Sequence, residues 1–151
     1  MSKHCVLVAD AISPKGIEEL QAESDFEVEV NTSITPEELL ASAEKYHAII
    51  VRSRTTITAE VMAKASNLKV VGRAGVGVDN IDIKAASTNG VVVMNTPAGN
   101  TISTAEHAFS LMTSLARHIP QAHASMVAGR WDRKKYQGAE LYDKTLTILG
   151  M

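Results

Sequence analysis

The 151 residues carry 45% hydrophobic and 21% charged side chains, enough apolar material for one core or for one domain and part of another, and a composition that excludes disorder. With 15 Lys and Arg against 17 Asp and Glu the formal charge is -2, so no whole-molecule field draws the chain to nucleic acid or an anionic membrane, and any anion site must be a local cluster of arginines. Cys5 alone cannot make an internal disulfide, the apolar run that follows it is cut by Asp10 and too short for a signal peptide, and no run approaches the roughly 18 apolar residues of a membrane helix. The cytoplasm is therefore the expected location.

From residue 4 to about 95, short β-branched runs alternate with segments opened by capping signals, the pattern of a parallel sheet with crossover helices. Strands are expected at residues 5–9, 26–30, 48–51, 69–71 and 91–94. Ser13-Pro14 and Thr35-Pro36-Glu37-Glu38 each set a hydroxyl cap before a proline in the first helical turn, the second with a Glu where a capping box needs it. Thr58 and Asn80 can cap the next two helices, and Gly90 ends the fourth. Five strands with four crossovers predict an α/β, flavodoxin-like doubly wound sheet whose ligands bind beyond the carboxyl ends of the strands.

Beyond Pro97 the rhythm changes. Ser103-Thr104-Ala105-Glu106 reads as a capping box, and Ile102, Ala105, Phe109, Met112, Leu115 and Ala116 form an apolar stripe, predicting one long helix to about His118. Pro120 opens a shorter helix to about Ala128, and the polar run after Gly129 is an exposed connection in which Trp131 is a packing anchor. Thr145 to Leu149 reads as a new strand running into Gly150, so the tail is expected to begin a second domain.

Chemistry is concentrated where strands end. Arg52-Ser53-Arg54-Thr55 follows the third strand, and two guanidinium forks there fit carboxylate or phosphate as readily as they fit solvated arginines around a helix cap. After the fourth strand, Gly72-Arg73-Ala74-Gly75-Val76-Gly77-Val78-Asp79-Asn80 lets backbone amides face outward beside a third arginine. It is not a dinucleotide fingerprint, because Asn80 stands where the third glycine belongs. Asn95-Thr96-Pro97-Ala98-Gly99-Asn100 follows the fifth strand and feeds the long helix. His107, His118 and His123 have no acidic partner at helical spacing and make no metal set, and Cys5 is a small core residue. Asp10 ends the first strand as in a phosphoacceptor receiver, but Arg52 occupies the place of that fold's second aspartate.

In their order, Arg52-Ser53-Arg54-Thr55, Gly72 through Asp82, Asn95-Thr96-Pro97 and Glu140 through Gly150 resemble the D-2-hydroxyacid dehydrogenase family across essentially the whole chain. The resemblance implies a substrate-binding domain at 1–98. It also implies, at 99–151, an interdomain helix, a connection and the first strand of an incomplete NAD-binding Rossmann domain. Arg52, Ser53, Arg54 and Arg73, with the backbone of Ala74, Gly75 and Val76, would hold a phosphorylated 2-hydroxy acid such as 3-phosphoglycerate, and Asn100 would lie in the interdomain cleft. Val76 and Gly150 would meet NAD, although Val76 stands where many members carry a hydroxyl. The family's catalytic histidine, glutamate and arginine would all follow Gly150, so the chain is expected to be the N-terminal part of a homo-oligomeric enzyme and inactive alone. The alternatives are a non-catalytic anion-binding module or a partner of full-length enzyme.

Overall fold

The computed structural model describes residues 3–149. Backbone contacts divide the chain into one unit that ends at Gly99 and another that starts at Asn100. In the first, β1 (His4–Val8), β2 (Phe26–Val30), β3 (Ala48–Val51), β4 (Val70–Arg73) and β5 (Val92–Met94) alternate with α1 (Pro14–Ala22), α2 (Pro36–Ser42), α3 (Ala59–Lys64) and α4 (Ile83–Thr88). The five strands form an all-parallel sheet in the order β2-β1-β3-β4-β5. Each crossover returns the chain to the same edge, so every strand delivers its following residues to one side of the unit.

Period-two alternation sorts the strand side chains between the two faces. Leu7, Ile49 and Val71 lie in register across β1, β3 and β4, and all three are fully buried. With Ala9 and Val51 they form the core beneath Leu39 of α2, Val61 and Met62 of α3, and Ala86 of α4. On the opposite face Val6 and Val8 are buried, but Val92 and Met94 of edge strand β5 are each 59% exposed.

The helix starts follow local chemistry. Thr35 and Glu38 exchange side-chain-to-backbone bonds in a complete capping box, and Thr58 accepts from the Val61 amide. At Ser13 the proline is in place, but the hydroxyl makes no cap bond. Asn80 does not cap α4; Asp82 does, accepting from the Ala85 amide at 2.9 Å.

In the second unit, α5 (Thr101–Ala116) and α6 (Ile119–Val127) are separated by His118 in the left-handed region, φ 51°. α5 begins two residues before the expected capping box, so Ser103 is interior and its hydroxyl bonds back to the Asn100 carbonyl. The apolar stripe exists but is not covered: Ile102, Phe109 and Leu115 are exposed, as is Trp131, which borders a shallow hollow with Ala122, Met126 and Tyr136. Gly138, at φ 66°, lets the Ala139 amide reach the Ala116 carbonyl at 2.7 Å, an approach a Cβ would block. Residues 145–149 form no strand, because a ladder needs a partner and none of the described residues supplies one; Gly150 lies outside the described residues.

Ile49 is sealed between sheet and helices, so Ile49→Ala should destabilise the chain by about 2–5 kcal/mol. Urea denaturation followed by far-UV circular dichroism measures this, and a loss below about 1 kcal/mol would contradict the buried register.

Candidate anion site at the carboxyl edge of the sheet

Beyond β1 stands Asp10, only 3% exposed. One oxygen, Oδ2, accepts from the backbone amides of Arg52, at 2.6 Å, and Thr55, at 3.1 Å. The other, Oδ1, accepts from the Thr55 hydroxyl at 2.6 Å and lies 3.2 Å from Nε of Arg54. Burial pushes the carboxyl pKa upward, but the Thr55 hydroxyl, the two amides and the Arg54 charge together hold it below its ordinary value. Asp10 is therefore an ionised clamp on the loop that follows β3.

The three arginines expected at an anion site are engaged differently. Arg54 also donates to the carbonyls of Ala9, at 2.6 Å, and Ile34, at 3.2 Å, so its guanidinium is braced on three sides. Arg52 makes one bond through its side chain, Nη1 to the Ala11 carbonyl at 3.3 Å, and is otherwise exposed. Both line an open hollow of about 430 Å³ with Asp10, Ala11, Thr32 and Ser53. Arg73, at the end of β4, donates from Nε to the Arg52 carbonyl and to Oδ1 of Asn80, and from Nη2 to the Ser53 hydroxyl at 3.2 Å. Its side chain is only 10% exposed, and the outer Asp79 carboxylate stands 4.0 Å away. Gly75 makes this arrangement possible, since a Cβ there would collide with the Arg73 guanidinium.

Arg52, Ser53, Arg73 and Gly75 are thus brought together, with Arg54 behind them. Ala74 is held by its amide to the Val51 carbonyl, and the next two residues are tied to the β5 loop: Thr96 donates to the Gly75 carbonyl and Asn95 to that of Val76. The Val76 side chain is 41% exposed and offers an apolar contact only. Asn100 belongs to the second unit, at the N-cap of α5, where its side chain makes no cap bond. Cys5 packs against the core, and burial pushes its thiol pKa up.

Two residues at this edge escape a reading of local motifs. Asp10 looks like a strand end, and Asn80 looks like a cap. The available signal is that Asn80 and Asp82 both precede one helix, and only one of them can cap it.

The Asp10 clamp predicts an acid dependence. Its native pKa is below 3.8, the value of the unperturbed carboxyl, so the unfolded chain takes up this proton first as pH falls. Its contribution to stability is present above that value and is lost as pH falls through the native pKa. Melting midpoints of the parent and Asp10→Asn chains should differ near neutrality, with the parent higher, and converge toward acid; a gap that stays constant with pH would exclude the ionised clamp.

Residues 6–134 match the model of the D-isomer specific 2-hydroxyacid dehydrogenase catalytic domain. D-3-phosphoglycerate dehydrogenase of Archaeoglobus fulgidus is 54% identical over 146 residues, which are 97% of this chain but only 28% of that protein. Among solved structures, the TT0316 protein of Thermus thermophilus aligns over 91% of this chain and 45% of its own, with TM-score 0.77 and 33% identity. The NAD+-bound 3-phosphoglycerate dehydrogenase of Entamoeba histolytica aligns over 77% and 40%, with TM-score 0.65 and 30% identity. The chain spans about a quarter of the length of the curated relative, and it belongs to the D-isomer specific 2-hydroxyacid dehydrogenase family.

Proposed function

We propose that this chain is the N-terminal, substrate-side part of an NAD-dependent D-3-phosphoglycerate dehydrogenase, and that the unit ending near Gly99 binds the acid through its arginines. The observation that carries this reading is the convergence of Arg52, Ser53 and Arg73 at one sheet edge, where Arg73 is already held by the Ser53 hydroxyl. A small polyanion bearing both carboxylate and phosphate suits two guanidinium groups of different exposure. Arg73 offers its remaining donors from a largely desolvated position, where a charge-assisted bond is strongest, and Arg52 reaches from solvent. Arg54 neutralises Asp10, so the buried carboxylate does not repel an incoming anion.

In the complete reaction, NAD supplies the acceptor for the C2 hydride, giving 3-phosphohydroxypyruvate. The residues described here fit the acid better than the dinucleotide. The Gly72–Asn80 run has a buried amide side chain at its third motif position, and Val76 can only pack against a cofactor. Proton transfer in this family would use a histidine oriented by a carboxylate, and among the described residues no histidine forms such a pair. In this reading the part played by this chain is to bind and orient the acid, and the segment after Gly99 leads toward the cofactor domain.

Calorimetric titration with 3-phosphoglycerate tests this reading. Arg73→Ala and Arg52→Ala should each weaken binding by about tenfold or more, the loss of one charge-assisted contact, with Arg73→Ala the larger effect. Equal heats in all three proteins would exclude the site. No NADH should form when the purified chain is mixed with NAD and 3-phosphoglycerate, and turnover free of contaminating enzyme would overturn the assignment of a binding role alone.

A further inference from the structure

Asn80 is 9% exposed, and its side chain is used on every side. Nδ2 donates to two main-chain carbonyls of the β3 loop, Arg52 at 2.7 Å and Thr55 at 2.6 Å. Oδ1 accepts from Nε of Arg73 at 3.2 Å. Its own main-chain carbonyl accepts from the Ile57 amide at 2.9 Å, beside the single bridge that joins Ile57 to Ile81. One residue thus joins the β3 loop, which carries Arg52 and Ser53, to the guanidinium that ends β4.

The donor pattern explains why an amide is needed. A primary amide has donors at one end and an acceptor at the other, both in one plane. Turned over, it would face two carbonyls with its oxygen and the Arg73 N–H with its nitrogen. A carboxylate would oppose both carbonyls, a hydroxyl is too short to span the three partners, and an apolar group would leave both carbonyls, that of Thr55 in a buried setting, with fewer donors. Only the present orientation satisfies all partners, so the amide acts as a rigid spacer between Arg73 and the Arg52–Thr55 turn.

We propose that Asn80 is a positioning residue for the anion site: it fixes Nε of Arg73 so that Nη2 meets the Ser53 hydroxyl and the remaining terminal donors are held beside Arg52 for the ligand. This rests on the substrate-side reading above. Asn80 itself need not touch the ligand. Its effect is preorganisation, since an arginine already held in one rotamer loses less freedom on binding than a free one.

The test is a double-mutant cycle read by calorimetric titration of the whole chain with 3-phosphoglycerate. Asn80→Ala should weaken binding by about tenfold, comparable to the loss of one well-oriented contact. The combination with Arg73→Ala should be no weaker than Arg73→Ala alone, because the effect of Asn80 passes through that side chain. Unchanged affinity in Asn80→Ala overturns the proposal while leaving the anion site intact, and additive losses overturn the route through Arg73. If the unsubstituted chain takes up no 3-phosphoglycerate, the substrate-side reading and this proposal fall together, so the two failures are distinguishable. Should Asn80→Ala fail to fold, Asn80→Gln retains both hydrogen-bonding ends on a longer stem, and the Nε–H resonance of Arg73 supplies the second readout. That proton should be protected from exchange in the parent and less so in Asn80→Gln, with a parallel fall in affinity; full affinity with an unprotected Nε–H overturns the proposal.

Discussion

A carboxylate carried into the rim of a sheet must be surrounded by donors or give up its charge. Asp10 is surrounded: two amides, a hydroxyl and a guanidinium converge on its two oxygens, and all of them belong to the four residues that follow β3. The arrangement works in both directions. Asp10 makes the Arg52–Thr55 turn adopt one shape, and the turn keeps Asp10 ionised. Because Arg54 is occupied by this carboxylate and by the carbonyls of Ala9 and Ile34, its role is to hold the frame on which Arg52 and Ser53 stand.

The rest of the edge is stitched to that turn. The Asn80 side chain carries the connection from β3 to β4, and Asn95 and Thr96 carry it from β4 to β5. Parallel sheets place their carboxyl ends together by topology, but topology alone would leave three independent loops. Side-chain amides and a buried carboxylate turn them into one body in which the donors are already ordered. Gly75 belongs to the same economy of space, because the Arg73 guanidinium lies where a side chain would stand.

The core and the second unit depend on different forces. Leu7, Ile49 and Val71 are fully buried at the centre of one sheet face, whereas Val92 and Met94 on the other face, like Phe109 and Leu115 on α5, remain largely in solvent. The strand expected from residue 145 is absent for a related reason. An isolated extended segment has no carbonyls to bond and no second face to bury, so its β-branched pattern has nothing to act on.

Local features of the sequence were sufficient for much of the first unit. The spacing of β-branched runs located β2 and β3 to the residue and the other three strands to within two, because a buried parallel strand must be apolar over a short continuous length. The Thr35 box, the Thr58 cap and Gly90 at φ 67° were legible because each interaction spans only a few residues. The order of arginine and glycine motifs was likewise enough to indicate the family. Which arginine braces and which is free, and whether Asn80 caps a helix or bridges two loops, could not be read this way. Those roles depend on partners 20 to 45 residues away in sequence, brought within hydrogen-bonding distance only when β1, β3 and β4 pair.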